Sequence, residues 1–434
     1  MNDNKIILNN KTHQKPMRDI LGINNIPRIN SKPNFNFETP LFRGLNLKHV
    51  RFHDCALQNP GHQLLDVSRI FPLLHLDEND PKNYFFAQTD DYLSTISDMD
   101  AEIDFRLGES IDHSLFGRLI KVPDDIDKWA RVCRKIIGHY MNGEMDGMHL
   151  NITRITVWEE PDNNRLFGGT VEDYSKMFCS LYKIIKKDFP HIKIGGPCHM
   201  NANTVFLEKF IEICKGNGVI PDFVGGTMYN KEVEIFTMVL DKYRDIFKRQ
   251  GIEGMKQTVV EWHLAPMDWD KPIDMTESGF NSAQNASFTV SSLIDFMNQE
   301  DVEVAYYYCW SGGNWSPVNC LPGNRGPYPV YYGLIFFQKM AQECTQRLYA
   351  ENLGDIRVLA GRTDDGKTRV LISGYNVDAS SISVPAMDAS TAKLYTIADP
   401  FDEKMSTEGE IISAQDGEFV INNTSSYSVY LLEF

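Results

Sequence analysis

The chain has 434 residues, 42% hydrophobic and 24% charged, with 43 Lys and Arg against 59 Asp and Glu and a formal net charge of −16. This composition supports a large core and argues against disorder; at roughly 100–200 residues per domain the length admits several domains, while one (β/α)-type barrel alone takes about 250. The acidic balance excludes nucleic acid as the main partner, since neutralising phosphates needs a dense basic face, and Lys183, Lys186 and Lys187 fall at helical spacing on a solvated face.

The chain opens Met-Asn-Asp-Asn-Lys-Ile-Ile-Leu, whose three-residue apolar run is too short for a signal peptide. No window holds the ~18 apolar residues of a membrane helix, so no membrane partner is expected. Between residues 15 and 345, short β-branched or apolar runs alternate with longer amphipathic stretches. Strands are predicted at 20–23, 49–52, 102–106, 155–158, 192–195, 223–225, 258–261 and 304–309. Helical spacing over 125–140 puts Ile126, Trp129, Val132, Cys133, Ile136, Ile137 and Tyr140 on one stripe, and 174–189 repeats the pattern. Eight strands each followed by helical material read as an α/β fold, a (β/α)8 barrel with a parallel inner sheet. A doubly wound sheet is disfavoured because no glycine-rich phosphate fingerprint follows an early strand.

After Tyr349 the texture changes. Runs at 356–360, 369–374, 392–397, 418–421 and 428–434 lack helical periodicity, and Asp364-Asp365-Gly366 is a hairpin signal between two of them. A catalytic barrel over 15–345 and a small antiparallel β-sandwich over 346–434 are therefore expected, with a strand from 1–14, at the run 5–8, added to the sandwich. Eight cysteines (55, 133, 179, 198, 214, 309, 320 and 344) form no C-x-x-C pair. That pattern points to reduced thiols in a cytoplasmic protein rather than a disulfide frame or a zinc site.

Functional groups of such barrels sit at the carboxyl ends of the strands. The second predicted strand ends in Arg51-Phe52-His53-Asp54, the third in Arg106-Leu107-Gly108-Glu109 with His113 on the loop beyond, and the fourth in Trp158-Glu159-Glu160-Pro161. The sixth runs to Thr227-Met228-Tyr229, the seventh ends in Glu261-Trp262-His263, and the eighth in Tyr306-Tyr307-Tyr308-Cys309-Trp310, with Trp315 close behind. Aromatic faces that stack on C–H surfaces, beside polar groups that fix hydroxyls, suit a sugar. Glu160 and Glu261 are 101 residues apart, about three β/α units, and so face one another across the barrel mouth. Two carboxylates flanking a glycosidic bond are the minimum for its hydrolysis. Strict strand alternation turns Glu159 away from Glu160, so both reach the cleft only if the strand bulges there. Arg51, His53, Asp54, Glu109, His113, Glu159, Tyr229 and His263 are candidate substrate contacts. Trp310 and Trp315 are candidates for a stacking platform, Trp310 alternatively capping the core. No metal-ligand spacing, G-x-S-x-G elbow or phosphate loop is present, so neither a metal nor a cofactor is expected.

In order and spacing these motifs resemble clan A glycoside hydrolases, and most of all glycoside hydrolase family 39, the β-xylosidase and α-L-iduronidase family. The residues that carry the resemblance are Val50-Arg51-Phe52-His53, Val157-Trp158-Glu159-Glu160-Pro161-Asp162 (similar to W-N-E-P-D), Ile194-Gly195-Gly196-Pro197, Asp222-Phe223-Val224 leading to Tyr229, and Val260-Glu261-Trp262 (similar to T-E-W). The resemblance implies Glu160 as general acid/base and Glu261 as nucleophile, with carboxyls ~5–5.5 Å apart and retention through a covalent glycosyl-enzyme. It also implies a raised pKa for Glu160, a hydrogen bond from Tyr229 to Glu261, and Arg51 beneath the nucleophile. Two positions depart from the family's pattern. Glu159 stands where the family has an Asn that donates to the sugar's 2-hydroxyl, and an ionised Glu only accepts. Thr227 stands where the family usually has a sugar-facing His.

The expected function is a retaining glycosidase acting on an oligosaccharide or glycoside: a β-xyloside, β-glucoside, β-galactoside or α-L-arabinoside. Exo action is what the resemblance implies. A glycan-binding pseudoenzyme is the reading from another class, and the presence of both Glu160 and Glu261 argues against it. A transglycosylase would share both residues and differ in how well it admits an acceptor sugar over water.

Overall fold

The computed structural model describes residues 4–27, 38–53, 64–110, 120–200, 203–265, 279–310, 315–319, 326–377, 379–422 and 424–434. Asp54 and His113 lie outside the described residues.

Two short strands come first, β1 (Asn4–Lys5) and β2 (Leu8–Thr12). Eight parallel strands then close into a barrel: β3 (Leu21–Asn24), β4 (His49–Phe52), β5 (Glu102–Leu107), β6 (Ile152–Val157), β7 (Lys193–His199), β8 (Phe223–Asn230), β9 (Lys256–Leu264) and β10 (Val302–Tyr307), the last pairing back to the first. Each of the eight predicted runs overlaps one of these strands. Around the barrel lie α1 (Glu38–Gly44), α2 (Val67–Ile70), α3 (Ala87–Leu93), α4 (Ile126–Asn142), α5 (Val171–Asp188), α6 (Thr204–Gly216), α7 (Glu234–Arg249), α8 (Ala283–Met297) and α9 (Pro329–Glu343). The stripe predicted on α4 is the face it buries, from Trp129 to Tyr140, with Ile126 half-buried at the edge. Local chemistry sets the helix ends. The Asp125 side chain accepts from Lys128 N at the start of α4, Gly143 in a left-handed conformation (φ 70°) ends it, and Thr170 and Asp173 form a reciprocal capping box on α5.

The remaining elements are a small pair, β11 (Val318–Asn319) and β12 (Gly326–Pro327), then β13 (Cys344–Ala350), β14 (Ile356–Thr363), β15 (Thr368–Tyr375), β16 (Ser381–Pro385), β17 (Thr391–Ala398), α10 (Glu403–Thr407), β18 (Glu410–Ser413), β19 (Glu418–Asn422) and β20 (Tyr427–Glu433). They form a seven-stranded sheet, β18-β17-β20-β15-β14-β13-β2, and a three-stranded sheet, β1-β16-β19. The two sheets share one core: Val358, Val370, Ile372 and Leu432 of the larger sheet cluster with Ile382, Val384, Phe419 and Ile421 of the smaller. β13, β16 and β18 are additional to the expected strands. The N-terminal segment enters both sheets, β1 beside β16 and β2 beside β13.

Helix α8 joins barrel to sheet. Almost every residue from Ala283 to Met297 is buried, as befits a helix covered on both sides. Small residues allow the close approach: Ser291 Oγ donates to Ser373 Oγ of β15 at 2.9 Å, and Ser373 Oγ donates to Ser287 O at 2.9 Å. The six described cysteines are buried and unbridged. Among the described residues no helix is long and apolar enough to cross a membrane.

Candidate active site

Barrel interiors are usually filled by branched aliphatic side chains; here Arg51, Asp104, Arg154 and Thr156 are buried on β4, β5 and β6. Toward the carboxyl ends this polar filling becomes a carboxylate cluster. Alternation along β4 points Arg51 and His53 the same way, and alternation along β8 does the same for Thr227 and Tyr229. Glu261, in register with Thr227 on β9, joins them. Trp262 points outward and packs edge-on against Phe296, with ring centroids 5.4 Å apart.

The two adjacent glutamates are brought into one mouth by a break in alternation just past β6. Trp158 and Glu160 both have positive φ, 61° and 37°, conformations that cost a non-glycine residue about 1–3 kcal/mol each unless the surroundings enforce them. Here Trp158 N donates to Leu107 O at 2.7 Å, the Trp158 indole to Leu166 O at 2.9 Å, and Glu160 N to Cys198 O at 3.0 Å. Gly108 makes room for this turn: at its φ of 141°, an added Cβ would lie 2.9 Å from Trp158 Cα. The sequence-based condition for both glutamates to face the cleft is thus met by left-handed residues after the strand.

Glu261 is the most firmly held carboxylate. Tyr229 Oη donates to its Oε2 at 2.6 Å, His53 Nε2 lies 2.6 Å from its Oε1, and Arg51 Nη1 approaches that oxygen at 3.5 Å. Burial works to raise its pKa, but the charges and hydrogen bonds of His53, Arg51 and Tyr229 outweigh burial and hold it below the usual range. Glu160 is the opposite case. Thr227 Oγ1 donates to its Oε1 at 2.8 Å and Asn163 Nδ2 to its Oε2 at 3.2 Å. Burial, then the negative charges of Glu261 and Glu159, push its pKa up to about 8. Two neighbouring carboxyls whose surroundings drive their pKa values apart are a proton donor and a persistent anion.

Glu159 also belongs to the cluster. Its Oε2 accepts from Arg51 Nη2 and lies 3.3 Å from His53 Nε2, while its buried Oε1 has no hydrogen-bond partner among the described residues. Burial raises its pKa to about 7 against the lowering influence of Arg51. Arg51 remains a cation because Glu159, Asp104 and Glu261 outweigh the burial that opposes its charge. Donor atoms of His53, Glu159 and Glu261 all lie within 4.8 Å of one another, a spacing a metal ion could use. The Arg51 guanidinium, in contact with both carboxylates, already supplies positive charge at that point.

Behind this cluster, Asp66 Oδ1 accepts from Arg106 Nη2 at 2.6 Å, and Arg106 donates to the His53 carbonyl at 2.5 and 3.1 Å, fixing the residue that carries the imidazole. Asn24 braces Arg51, accepting from Nη1 at 2.9 Å while its amide donates to Val260 O at 2.8 Å. Asn24, Asp66, Arg106 and Asn163 were not among the expected site residues. Asn163 had the clearest signal, three residues beyond Glu160 on the same loop.

Other expected residues are engaged elsewhere. Glu109 is buried and accepts from Ser68 N at 3.1 Å and Ser68 Oγ at 2.6 Å, behind Asp66 and Arg106. His263 is buried, with Nε2 2.7 Å from Tyr307 Oη and its ring against Phe280 and Trp315; burial lowers its pKa to about 4. Trp310 is fully buried and packs edge-on against Phe42 at 5.0 Å, filling the core rather than presenting a face for stacking. Trp315 is half-buried and stands with Tyr229 and Tyr308, at 5.8 and 6.0 Å, beside Glu261's hydrogen-bond donor.

A closed parallel barrel, with one raised and one lowered carboxylate meeting at the carboxyl ends of β6 and β9, is a barrel of the glycoside-hydrolase class. The chain belongs to Glycosyl hydrolases family 39, whose family model matches residues 78–311. It is 23% identical over 285 residues to a beta-xylosidase of Caldicellulosiruptor saccharolyticus, a match covering 61% of this chain and 56% of the relative. The match thus spans about half the length of that curated relative. Among solved structures, the glucosidase from Croceicoccus marinus superposes with a TM-score of 0.77 at 19% identity, covering 99% of this chain and 98% of that one. The alpha-L-arabinofuranosidase from Thermotoga maritima gives a TM-score of 0.67 at 13% identity, covering 99% of each chain. At these identities the structural likeness establishes the shared fold.

Proposed function

We propose that the protein is a retaining, exo-acting glycoside hydrolase in which Glu160 is the general acid/base and Glu261 the nucleophile. The observation that carries this reading is the opposed ionisation of the two carboxyls: Glu160 raised to about 8, Glu261 lowered and gripped by Tyr229, His53 and Arg51. In the first step a Glu261 oxygen attacks C1 of the sugar while the C1–oxygen bond to the leaving group breaks. The Glu160 proton passes to the departing oxygen, leaving a glycosyl ester on Glu261. Loss of the Glu261 charge removes one of the influences that keep Glu160 protonated, so Glu160 becomes ready to act as a base. It then takes a proton from water as that water attacks C1, the ester bond breaks, and the sugar leaves with its original anomeric configuration.

The substrate is a terminal glycoside of the xyloside, glucoside, galactoside or arabinoside kind; xyloside, glucoside and arabinoside are the sugars named for the similar proteins. Half-buried Trp315 beside Tyr229 and Tyr308 supplies the apolar wall for the ring. The chemistry resides in the barrel, 15–345, and the sandwich, 346–434, braces it through α8.

The test is release of chromophore from aryl glycosides spanning α and β anomers of pentoses, hexoses, deoxy sugars and hexuronic acids, with Glu261→Ala alongside. One sugar turned over by the wild type, with release abolished in the variant, is the expected result. Release that survives in Glu261→Ala overturns the assignment of the nucleophile. Silence of the wild type across the panel overturns the hydrolase reading.

A further inference from the structure

Most residues of the cluster have one obvious task, but Glu159 does not. It is neither the most strongly held anion nor the most raised acid, yet it is buried, and it touches the same guanidinium and imidazole as Glu261. Arg51 reaches Glu159 through Nη2 and Glu261 through Nη1, and His53 Nε2 lies 3.3 Å from Glu159 and 2.6 Å from Glu261. One guanidinium and one imidazole are therefore divided between two carboxylates.

Esterification of Glu261 changes that division, because an ester carries no charge for Arg51 to neutralise and is a poorer hydrogen-bond partner for His53. A buried guanidinium left without its anion is costly, since neither solvent nor deprotonation relieves it. With Glu159 already in contact, Arg51 keeps a carboxylate partner throughout the reaction. Repulsion between Glu159 and Glu261, present while both are ionised, disappears at the same step.

We propose, on the hydrolase reading above, that Glu159 is a positioning residue that stabilises the glycosyl-enzyme: it takes over Arg51 and His53 when Glu261 becomes an ester, and its charge makes free Glu261 the stronger nucleophile. The groups facing it bound the pH behaviour. They are Arg51 from β4 and His53 just past it, Glu160 from its own loop, Cys198 from β7 and Glu261 from β9, with Tyr174 of α5 behind. Arg51 stays charged at any working pH, and burial holds the Cys198 and Tyr174 protons in place, so Glu160 and Glu261 are the neighbours whose change of charge bears on it.

The test compares wild type, Glu159→Gln and Glu159→Asp on the dinitrophenyl glycoside of the sugar selected by the panel, with thermal melts to confirm folding. A stabilised intermediate appears as a pre-steady-state burst of dinitrophenolate and a low KM in the wild type. Glu159→Gln is expected to lose the burst and raise KM, and the basic limb of its kcat/KM profile should move down by ~1 pH unit, because Glu160 loses a like-charged neighbour. Glu159→Asp keeps the charge on a shorter arm, so its limb stays at the wild-type position while the burst shrinks. If Glu159→Gln does not fold, this second variant decides: a limb displaced downward in Glu159→Asp refutes the charge argument. An active wild type whose burst and basic limb are both unchanged in Glu159→Gln overturns the proposal and leaves the hydrolase reading intact. A wild type silent on every glycoside overturns both.

Discussion

Thr227→Val isolates one contact of the proposed acid/base. Thr227 Oγ1 donates to Glu160 Oε1 at 2.8 Å, and Asn163 Nδ2 to the other oxygen at 3.2 Å. Both bonds favour the ionised carboxyl, while burial and the charges of Glu261 and Glu159 disfavour it and place the pKa at about 8. A hydrogen bond to a charged group is worth ~1.5–3 kcal/mol, and one pKa unit corresponds to about 1.36 kcal/mol. With Asn163 still in place, the lower end applies, and removing the hydroxyl should raise the Glu160 pKa by ~1 unit. Glu160 acts as an acid only when protonated, so activity is complete well below its pKa and falls as pH rises through it. At pH 9 the wild type should retain about a tenth of its plateau kcat/KM, and Thr227→Val about half. The assay is the pH dependence of kcat/KM for the best aryl glycoside. General damage to the site lowers the plateau but does not carry the limb upward. A limb that stays at the wild-type position, or moves down, refutes the assignment of Glu160 as the acid that Thr227 tunes.

Tyr229→Phe removes the 2.6 Å hydrogen bond to Glu261 Oε2; kcat/KM should fall ~10- to 100-fold, read in the same assay. Glu160→Gln should bear on stability with a definite sign. The folded pKa of about 8 lies above the ordinary 4.5, so wild-type stability from this group is full below pH 4.5 and lost as pH rises through 8. The melting temperature of the variant minus that of the wild type should therefore grow between those limits and level off above, as thermal melts across pH will show. Ser373→Leu forces a larger side chain against Ser287 and Ser291 of α8, and urea unfolding should show a loss of ~1–3 kcal/mol.

Legibility in the sequence followed the range of the interaction responsible. The barrel strands could be read because each is a short β-branched run ended by a change of period, and the α4 stripe because spacing along a helix is local. β13 was missed for an equally local reason. It follows α9 with no glycine or proline between them, and Thr345, Gln346 and Arg347 do not look like a strand until β2 and β14 flank it. Within the site, the broken alternation at Trp158–Glu160 appeared in the sequence only as a condition, because the contacts that impose it come from Leu107 and Cys198 on other strands and from Leu166 eight residues along the loop. The reading of Glu109 as a candidate substrate contact did not allow for Ser68, 41 residues earlier, which holds its carboxylate. Nothing local indicated that Asp66 and Arg106 together would pin the His53 backbone.

The way β1 and β2 are used bears on how the chain is made. Thr12 pairs with Leu348, and Asn4 with Ile382, so among the described residues β1 and β2 have no strand partner until the chain has grown by more than three hundred further residues. At about 5–20 residues per second that interval is on the order of tens of seconds. The barrel has time to close in between, and β1 and β2 join the sheets only after that. A ribosome stalled before β13 is translated should therefore hold a chain whose β1 and β2 remain open to protease while the barrel behind them is already protected.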